Sequence, residues 1–151
     1  MGENKQLNKK NISFVILVGG LGSRIKHLYP NKPKPLISIH NKPFLYWLIK
    51  EIKDLNFENI IYASGYRSKQ IENWVSNNEF KNLNQKIVKE KKKLGTAGSI
   101  FNLIDICEDN LIILNGDSFL AGGIKKLVES INLKHSSTLV CHYMENTKRF
   151  G

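Results

Sequence analysis

The sequence predicts an α/β fold with an open, mostly parallel sheet and helices on both faces. Short apolar runs of strand length alternate with segments whose apolar residues recur at helical spacing. The runs are apolar throughout rather than alternating, as expected of strands covered on both sides. The first run also ends in a glycine cluster, a common way for such a strand to meet a ligand. Taken in order, Ser13–Val18 is the first strand. Pro43–Leu55 carries Phe44, Leu45, Leu48, Ile49 and Ile52 on one helical face. Asn59–Ala63 is a second strand, and Ser68–Asn77 is a helix with Ile71, Trp74 and Val75 inward. Gln85–Val88 is a third strand. Thr96–Asp105 is a helix facing Ile100, Leu103 and Ile104 to the core. Asn110–Leu114 is a fourth strand, Gly123–Ile131 a helix and Ser137–Tyr143 a fifth strand. Four prolines, at 30, 33, 35 and 43, make residues 29–43 an extended loop. The whole pattern is Rossmann-like.

The 151 residues suit one domain with a real core, and 41% hydrophobic residues is ordinary for a soluble chain. Residues 1–11 read as a mobile basic tail and 12–151 as a nucleotide-binding α/β domain. No apolar stretch approaches the roughly 20 residues that span a bilayer, and none resembles a signal peptide. A cytoplasmic protein without membrane attachment is expected. Cys107 and Cys141 lack metal spacing and read as buried thiols rather than a disulfide. The net charge of +10 invites a nucleic-acid partner. The lysines are scattered, however, without interleaved aromatics or a recognition helix, so nucleic acid is not expected. A positive field equally gathers small polyanions.

Three segments carry candidate chemistry. Gly19-Gly20-Leu21-Gly22 follows the first strand, and Ser23-Arg24 stands where a helix could begin. Such a loop lets backbone N–H groups approach an anion. Arg24 and Lys34 add two positive charges. The Walker pattern fails because Ser23-Arg24 follows Gly22, and the dinucleotide pattern fails because Ile25 stands where glycine is required. Glu90, followed by Leu94-Gly95-Thr96-Ala97-Gly98, is the second segment. Thr96 reads as a helix cap, Gly95 and Gly98 permit close approach of a ring or phosphate, and Glu90 can accept hydrogen bonds from a nucleobase. Asn115-Gly116-Asp117-Ser118 is the third, with Asp117 placed to hold Mg²⁺. The strand-end rule for parallel sheets predicts that all three converge on one crevice. His27, His40, His135 and His142 form no catalytic set. Ser23 and Ser118 lack an adjacent base.

In this order the segments resemble the sugar-phosphate nucleotidylyltransferase family. Leu17-Val18-Gly19-Gly20-Leu21-Gly22-Ser23-Arg24-Ile25 is similar to its signature loop, and Pro33-Lys34-Pro35-Leu36 with Asn41-Lys42-Pro43 to its next block. Glu90 with Leu94–Gly98, Asn115-Gly116-Asp117 and Arg149-Phe150-Gly151 follow in order. The pattern looks closest to mannose- and manno-heptose-1-phosphate guanylyltransferases. Val18 departs from the family's usual alanine and Ser23 from its usual threonine. Family members also continue past the point matched by Gly151, with more sheet and a second metal-binding aspartate. The expectation is therefore a C-terminally truncated nucleotidyltransferase fold.

The resemblance implies transfer of a nucleoside monophosphate, GMP favoured, from an NTP to a sugar 1-phosphate, with Mg²⁺ and release of pyrophosphate. It implies catalytic roles for Arg24, Lys34 and Asp117. Nucleotide binding falls to Leu17, Gly19, Gly20, Gly22, Ser23, Arg24, Glu90, Gly95 and Thr96, sugar-phosphate binding to Asn115 and Gly151, and the metal to Asp117. The 151-residue form is expected to bind Mg-nucleotide weakly and turn over poorly, and self-association through the last strand is a further expectation. The rival reading is a catalytically silent nucleotide- or sugar-phosphate-binding module.

Overall fold

The run Ile-Ser-Phe-Val-Ile-Leu at Ile12–Leu17 forms the central strand, β1, and is buried nearly throughout. In the computed structural model, which describes residues 8–90, 95–120, 122–131, 137–141, 143 and 145, every other major strand is ordered about it. Strands β2 (Ser38–Ile39) and β3 (Lys42–Pro43) are the arms of a small hairpin. Strands β4 (Asn59–Ser64), β5 (Asn84–Lys89) and β6 (Asn110–Asn115) join β1 in a parallel sheet of order β5-β4-β1-β6. Leu17 sits level with Ala63 on one side and Asn115 on the other. The chain thus moves outward through β4 and β5, then crosses back to place β6 on the far side of β1. That reversal creates a crevice at the carboxyl ends of β1 and β6.

Alternation along β1 divides the core. Phe14 and Ile16 join a large cluster with Leu45, Leu48 and Ile49 of helix α1 (Phe44–Asp54). Ile71 of α2 (Ser68–Asn77) and Ile124 of α4 (Gly123–Ser130) belong to the same cluster. Val15, on the opposite face, packs with Ile61, Ala63 and Leu103. Helix α3 (Gly95–Phe101) precedes Leu103. The apolar stripes of α1 and α2 are those the spacing predicts.

Several expectations are corrected. Residues 23–28 form successive turns, not a helix; Ile25 donates to Gly22 O at 3.1 Å and Leu28 to Ile25 O at 3.0 Å. Leu28 and Tyr29 stay exposed, so no apolar face supports a helix, and Pro30 resists helical backbone in the residue before it. Residues 29–43 are not simply extended. They hold a 3₁₀ turn at Lys34–Leu36 and the β2–β3 hairpin, whose His40 and Asn41 have φ of 48° and 63°. Two successive positive φ values are what a tight hairpin turn requires. Helix α3 stops at Phe101, and Ile104 begins a separate 3₁₀ turn with its side chain exposed. Thr96 lies inside α3 rather than capping it.

Among the described residues the fifth strand is not formed: Ser137–Cys141 and Tyr143 carry no strand pairing. Leu139 and Tyr143 are exposed, so no apolar burial offsets the entropy of ordering this run. Cys141 is exposed and Cys107 half-buried; both are free thiols, though not both buried as expected. Within the stretch expected as a tail, Lys9–Asn11 makes a 3₁₀ turn and Lys9 Nζ donates to Leu55 O at 2.7 Å. His135, His142, Arg149, Phe150 and Gly151 lie outside the described residues. No helix among the described residues is long and apolar enough to cross a membrane.

Candidate active site

The sheet brings the three sequence segments to one cavity of about 360 Å³ at its carboxyl edge. That volume suits a small-molecule site, which typically spans about 300–1,000 Å³. Leu17, Gly19, Gly20, Gly22, Ser23 and Arg24 arrive from β1. Glu90 comes from the end of β5, Gly95 and Thr96 from α3, and Asn115 and Asp117 from β6. Lys34 enters from the 3₁₀ turn. Every described residue given a catalytic, nucleotide, sugar-phosphate or metal role therefore lines this cavity, whereas Gly98, expected to permit close approach, does not. Gly151 lies outside the described residues.

The glycine loop is held by main-chain bonds that leave its own donors free. Val18 N–H donates to Ala63 O and Gly116 N–H to Leu17 O, both at 3.0 Å, which ties three strand ends together. Beyond them, none of the N–H groups from Gly19 through Arg24 has a protein acceptor among the described residues. Such a row of unpaired donors needs water or an anion. Because residues 23–28 do not form a helix, the loop offers an anion its own N–H groups without a helix dipole behind them. Close packing shapes the floor: a Cβ at Gly116 would stand 2.7 Å from Val18 Cγ1, so that valine fits only opposite glycine.

Charges surround the loop. Lys34 Nζ lies 3.0 Å from Asp117 Oδ2, with both side chains about one-third exposed. The other carboxylate oxygen of Asp117 accepts from the Ser118 hydroxyl at 3.2 Å. Arg24 is exposed and makes no hydrogen bond or ion pair among the described residues. Across the cavity, the Glu90 carboxylate meets the Ser99 hydroxyl, which also lies 2.7 Å from Gly95 O. Main-chain pairing of Glu90 N–H to Ser64 O at 2.8 Å fixes the backbone beneath that carboxylate.

Mg²⁺ is commonly held by one or two carboxylates together with substrate phosphates and water. Asp117, with a carboxylate open to the cavity beside the unpaired loop donors, fits that arrangement. No group of three or more His, Cys, Asp or Glu with metal-site geometry occurs among the described residues, so the donors present do not form an all-protein cage.

Sequence reasoning missed two contributors. Ser99 is buried on α3 and reaches Glu90; its spacing from Gly95, one helical turn, was the available signal. The turn Gly65-Tyr66-Arg67 after β4 supports the glycine loop: Tyr66 N–H donates to Gly19 O at 3.3 Å. A strand end followed by glycine was the signal there. A larger groove of about 690 Å³ runs beside β6 and α4, but no cation among the described residues lines it. Its aliphatic walls do not suit a polyphosphate.

The family model described as nucleotidyl transferase matches residues 13–151. The D-glycero-alpha-D-manno-heptose 1-phosphate guanylyltransferase of Aneurinibacillus thermoaerophilus is 32% identical over 139 residues, covering 91% of this chain and 60% of that protein. The enzyme of the same name from Campylobacter jejuni is 34% identical over 113 residues, covering 75% and 51%. The crystal structure of HddC from Yersinia pseudotuberculosis complexed with GMP-PN superimposes with a TM-score of 0.69 at 35% identity, covering 78% of this chain and 53% of that one. This chain therefore spans roughly half to three-fifths of the length of these relatives. A model match over nearly the whole chain, with the loop, the cations and Asp117 gathered at one switch point, shows that the protein belongs to the nucleotidyl transferase family.

Proposed function

We propose that the protein transfers a nucleoside monophosphate, GMP in preference to others, from an NTP to a sugar 1-phosphate. A phosphate oxygen of the sugar phosphate attacks the α-phosphorus, the bond to the β-phosphate bridging oxygen breaks, and pyrophosphate leaves. The product is a nucleotide sugar. The attacking phosphate is already ionised near neutral pH, so neither a general base nor a covalent nucleophile is needed. Catalysis then rests on bringing two polyanions together and stabilising charge at the reacting phosphorus.

The row of unpaired N–H groups from Gly19 to Arg24, beside Arg24 and Lys34, is the observation that carries this reading. Those donors would hold the triphosphate. The Arg24 guanidinium can bind two oxygens of the departing pyrophosphate at once. Lys34 would leave Asp117 to hold the α-phosphoryl group or the incoming sugar phosphate. Asp117 would hold Mg²⁺, which when bound supplies charge neutralisation across phosphate oxygens. Asn115 would contact the sugar phosphate. Glu90 would accept from the N1–H and 2-amino group of guanine, donors that adenine does not present there. The names of the relatives, which are manno-heptose 1-phosphate guanylyltransferases, support a heptose 1-phosphate as the first acceptor to try.

The test is a panel of GTP, ATP, UTP and dTTP. Calorimetry reads binding to the 151-residue chain with Mg²⁺, and pyrophosphate release reads transfer to manno-heptose, mannose and glucose 1-phosphates. Tightest binding of GTP, with pyrophosphate release that is slow in the 151-residue chain, is the expected result. Preference for UTP or dTTP would remove the role given to Glu90. Nucleotide binding without release for any sugar would assign the silent module instead, and absence of binding would overturn both.

A further inference from the structure

We propose that Arg67 is a positioning residue that holds Lys34 at the cavity by clamping the main chain two residues upstream of Pro33. Arg67 does not line the cavity. Its half-buried guanidinium instead donates to Asn31 O and Pro30 O, each at 2.7 Å, and its Nε donates to the Tyr66 hydroxyl at 2.8 Å. Nη2 also approaches Asn31 Oδ1 at 3.5 Å, and Gln70 Nε2 donates to Asn31 O at 3.0 Å. Two carbonyls in succession are thus gripped by one planar fork, a geometry that lysine cannot reproduce.

The grip is made from a backbone conformation that carries a cost. Arg67 has φ of 57°, in the left-handed region that residues with a Cβ occupy at a cost. The Arg67 carbonyl accepts from Gln70 N–H at 2.9 Å, as any residue before a helix can, but its side chain makes no cap bond to α2. The three short bonds from the guanidinium offset the strain.

The clamp transmits to Lys34 through a stiff segment. Pro30, Pro33 and Pro35 each restrict φ, and Pro33 and Pro35 are buried. Fixing residues 30 and 31 therefore limits where Lys34 can point. From the other side, the glycine loop rests on the lysine stem: a Cβ at Gly22 would lie 3.3 Å from Lys34 Cγ. The turn that carries Arg67 also holds Gly19 through Tyr66 N–H. One turn after β4 thereby sets both the phosphate loop and the lysine that faces it. The functional part of this inference rests on Lys34 as a phosphate ligand; the clamp itself does not.

The experiment is a double-mutant cycle in the 151-residue chain. Arg67→Gly removes the guanidinium while relieving the positive φ, so it avoids a backbone penalty. Mg-GTP affinity is measured for the wild type, Arg67→Gly, Lys34→Met and the double variant, with Arg67→Lys as the conservative replacement. Amide hydrogen exchange is followed over residues 24–36, beside thermal unfolding of the whole chain. We expect Arg67→Gly to weaken Mg-GTP binding about tenfold, but less than about twofold once Lys34 is methionine, because coupled residues are non-additive. Arg67→Lys should behave like Arg67→Gly. Faster exchange confined to 24–36, with little change in Tm, is the structural half. Equal losses in both lysine backgrounds, or full rescue by Arg67→Lys, would overturn the positioning role. Unchanged exchange over 24–36 would overturn the clamp. Should the wild type bind no nucleotide, the reading of Lys34 as a ligand falls, while the exchange measurement still decides the clamp.

Discussion

At the scale of single residues, fold and site separate cleanly at Gly20. A Cβ placed there meets nothing within 4 Å, so the chain tolerates alanine. That Cβ would nevertheless stand in the cavity that Gly20 lines. Gly20→Ala is expected to leave the unfolding curve unchanged and to weaken nucleotide binding, measured by denaturation and calorimetry on one preparation. Arg24→Ala should likewise keep the fold and lower transfer by on the order of 10²–10³, read as pyrophosphate release in an active form. Near-normal rates would make Arg24 a bystander. Tyr66 supplies a pH readout. The Arg67 hydrogen bond holds its phenol below the ordinary tyrosine value, whereas burial pushes that of Tyr62 up. Titrated by phenolate absorbance, Tyr66 should ionise before a typical exposed tyrosine, and Arg67→Gly should return it to the usual range. The lowered value favours the folded state only as pH rises through Tyr66 ionisation towards that of the unfolded chain, so no effect is expected near pH 7.

At the scale of elements, helix ends decide more than helix interiors. The face of α1 is apolar at Phe44, Leu45, Leu48, Ile49 and Ile52, and all five are buried. Its Glu51 has a second task. The carboxylate accepts the N–H of Ile124 at the start of α4, so one helix caps another. Gly122 and Gly123 both carry positive φ, of 89° and 80°, and a Cβ at 123 would lie 2.7 Å from Glu51 Oε1. Glu51→Ala should destabilise the chain by about 1 kcal/mol, the usual worth of a helix cap. Gly123→Ala should cost more, since it adds backbone strain to the lost cap. Chemical denaturation of both variants checks the order, and a smaller loss for Gly123→Ala would show that α4 re-caps elsewhere. None of this is visible in the local sequence, because Glu51 and Ile124 are 73 positions apart.

At the scale of the molecule, the two faces of the sheet are unequal. Among the described residues, the cluster that includes Phe14 holds eighteen buried apolar residues, and the cluster around Val15 holds four. Phe14 is fully buried and meets Phe57 edge-to-face at 5.0 Å between ring centroids. Phe14→Ala should cost about 3–5 kcal/mol. Against the roughly 5–15 kcal/mol of a typical domain, that is enough to populate unfolded chains. Leu103→Ala, on the thinner face, should cost less because so few neighbours are present to lose contact. Denaturant midpoints of the two variants test the asymmetry, and equal losses would show that the thin face is as well packed as the thick one.

The alternation of strands and helices, the buried stripes of α1 and α2, and the meeting of three motifs at one edge are legible in the residues alone. Each of these follows from local periodicity, or from the rule that parallel strands present their carboxyl ends together. Tertiary structure decided what local pattern cannot encode. Ser23-Arg24 has the look of a helix start, but the chain after it has no apolar face to bury and meets Pro30. Ser137–Tyr143 has the composition of a strand, but pairing needs a partner edge and burial, which its described residues do not find. Ser99 meets Glu90, and Arg67 grips Pro30 and Asn31, only after folding. In the latter pair, 36 positions of chain separate Arg67 from Asn31, and just the packing of the β4 turn against the proline segment brings them together.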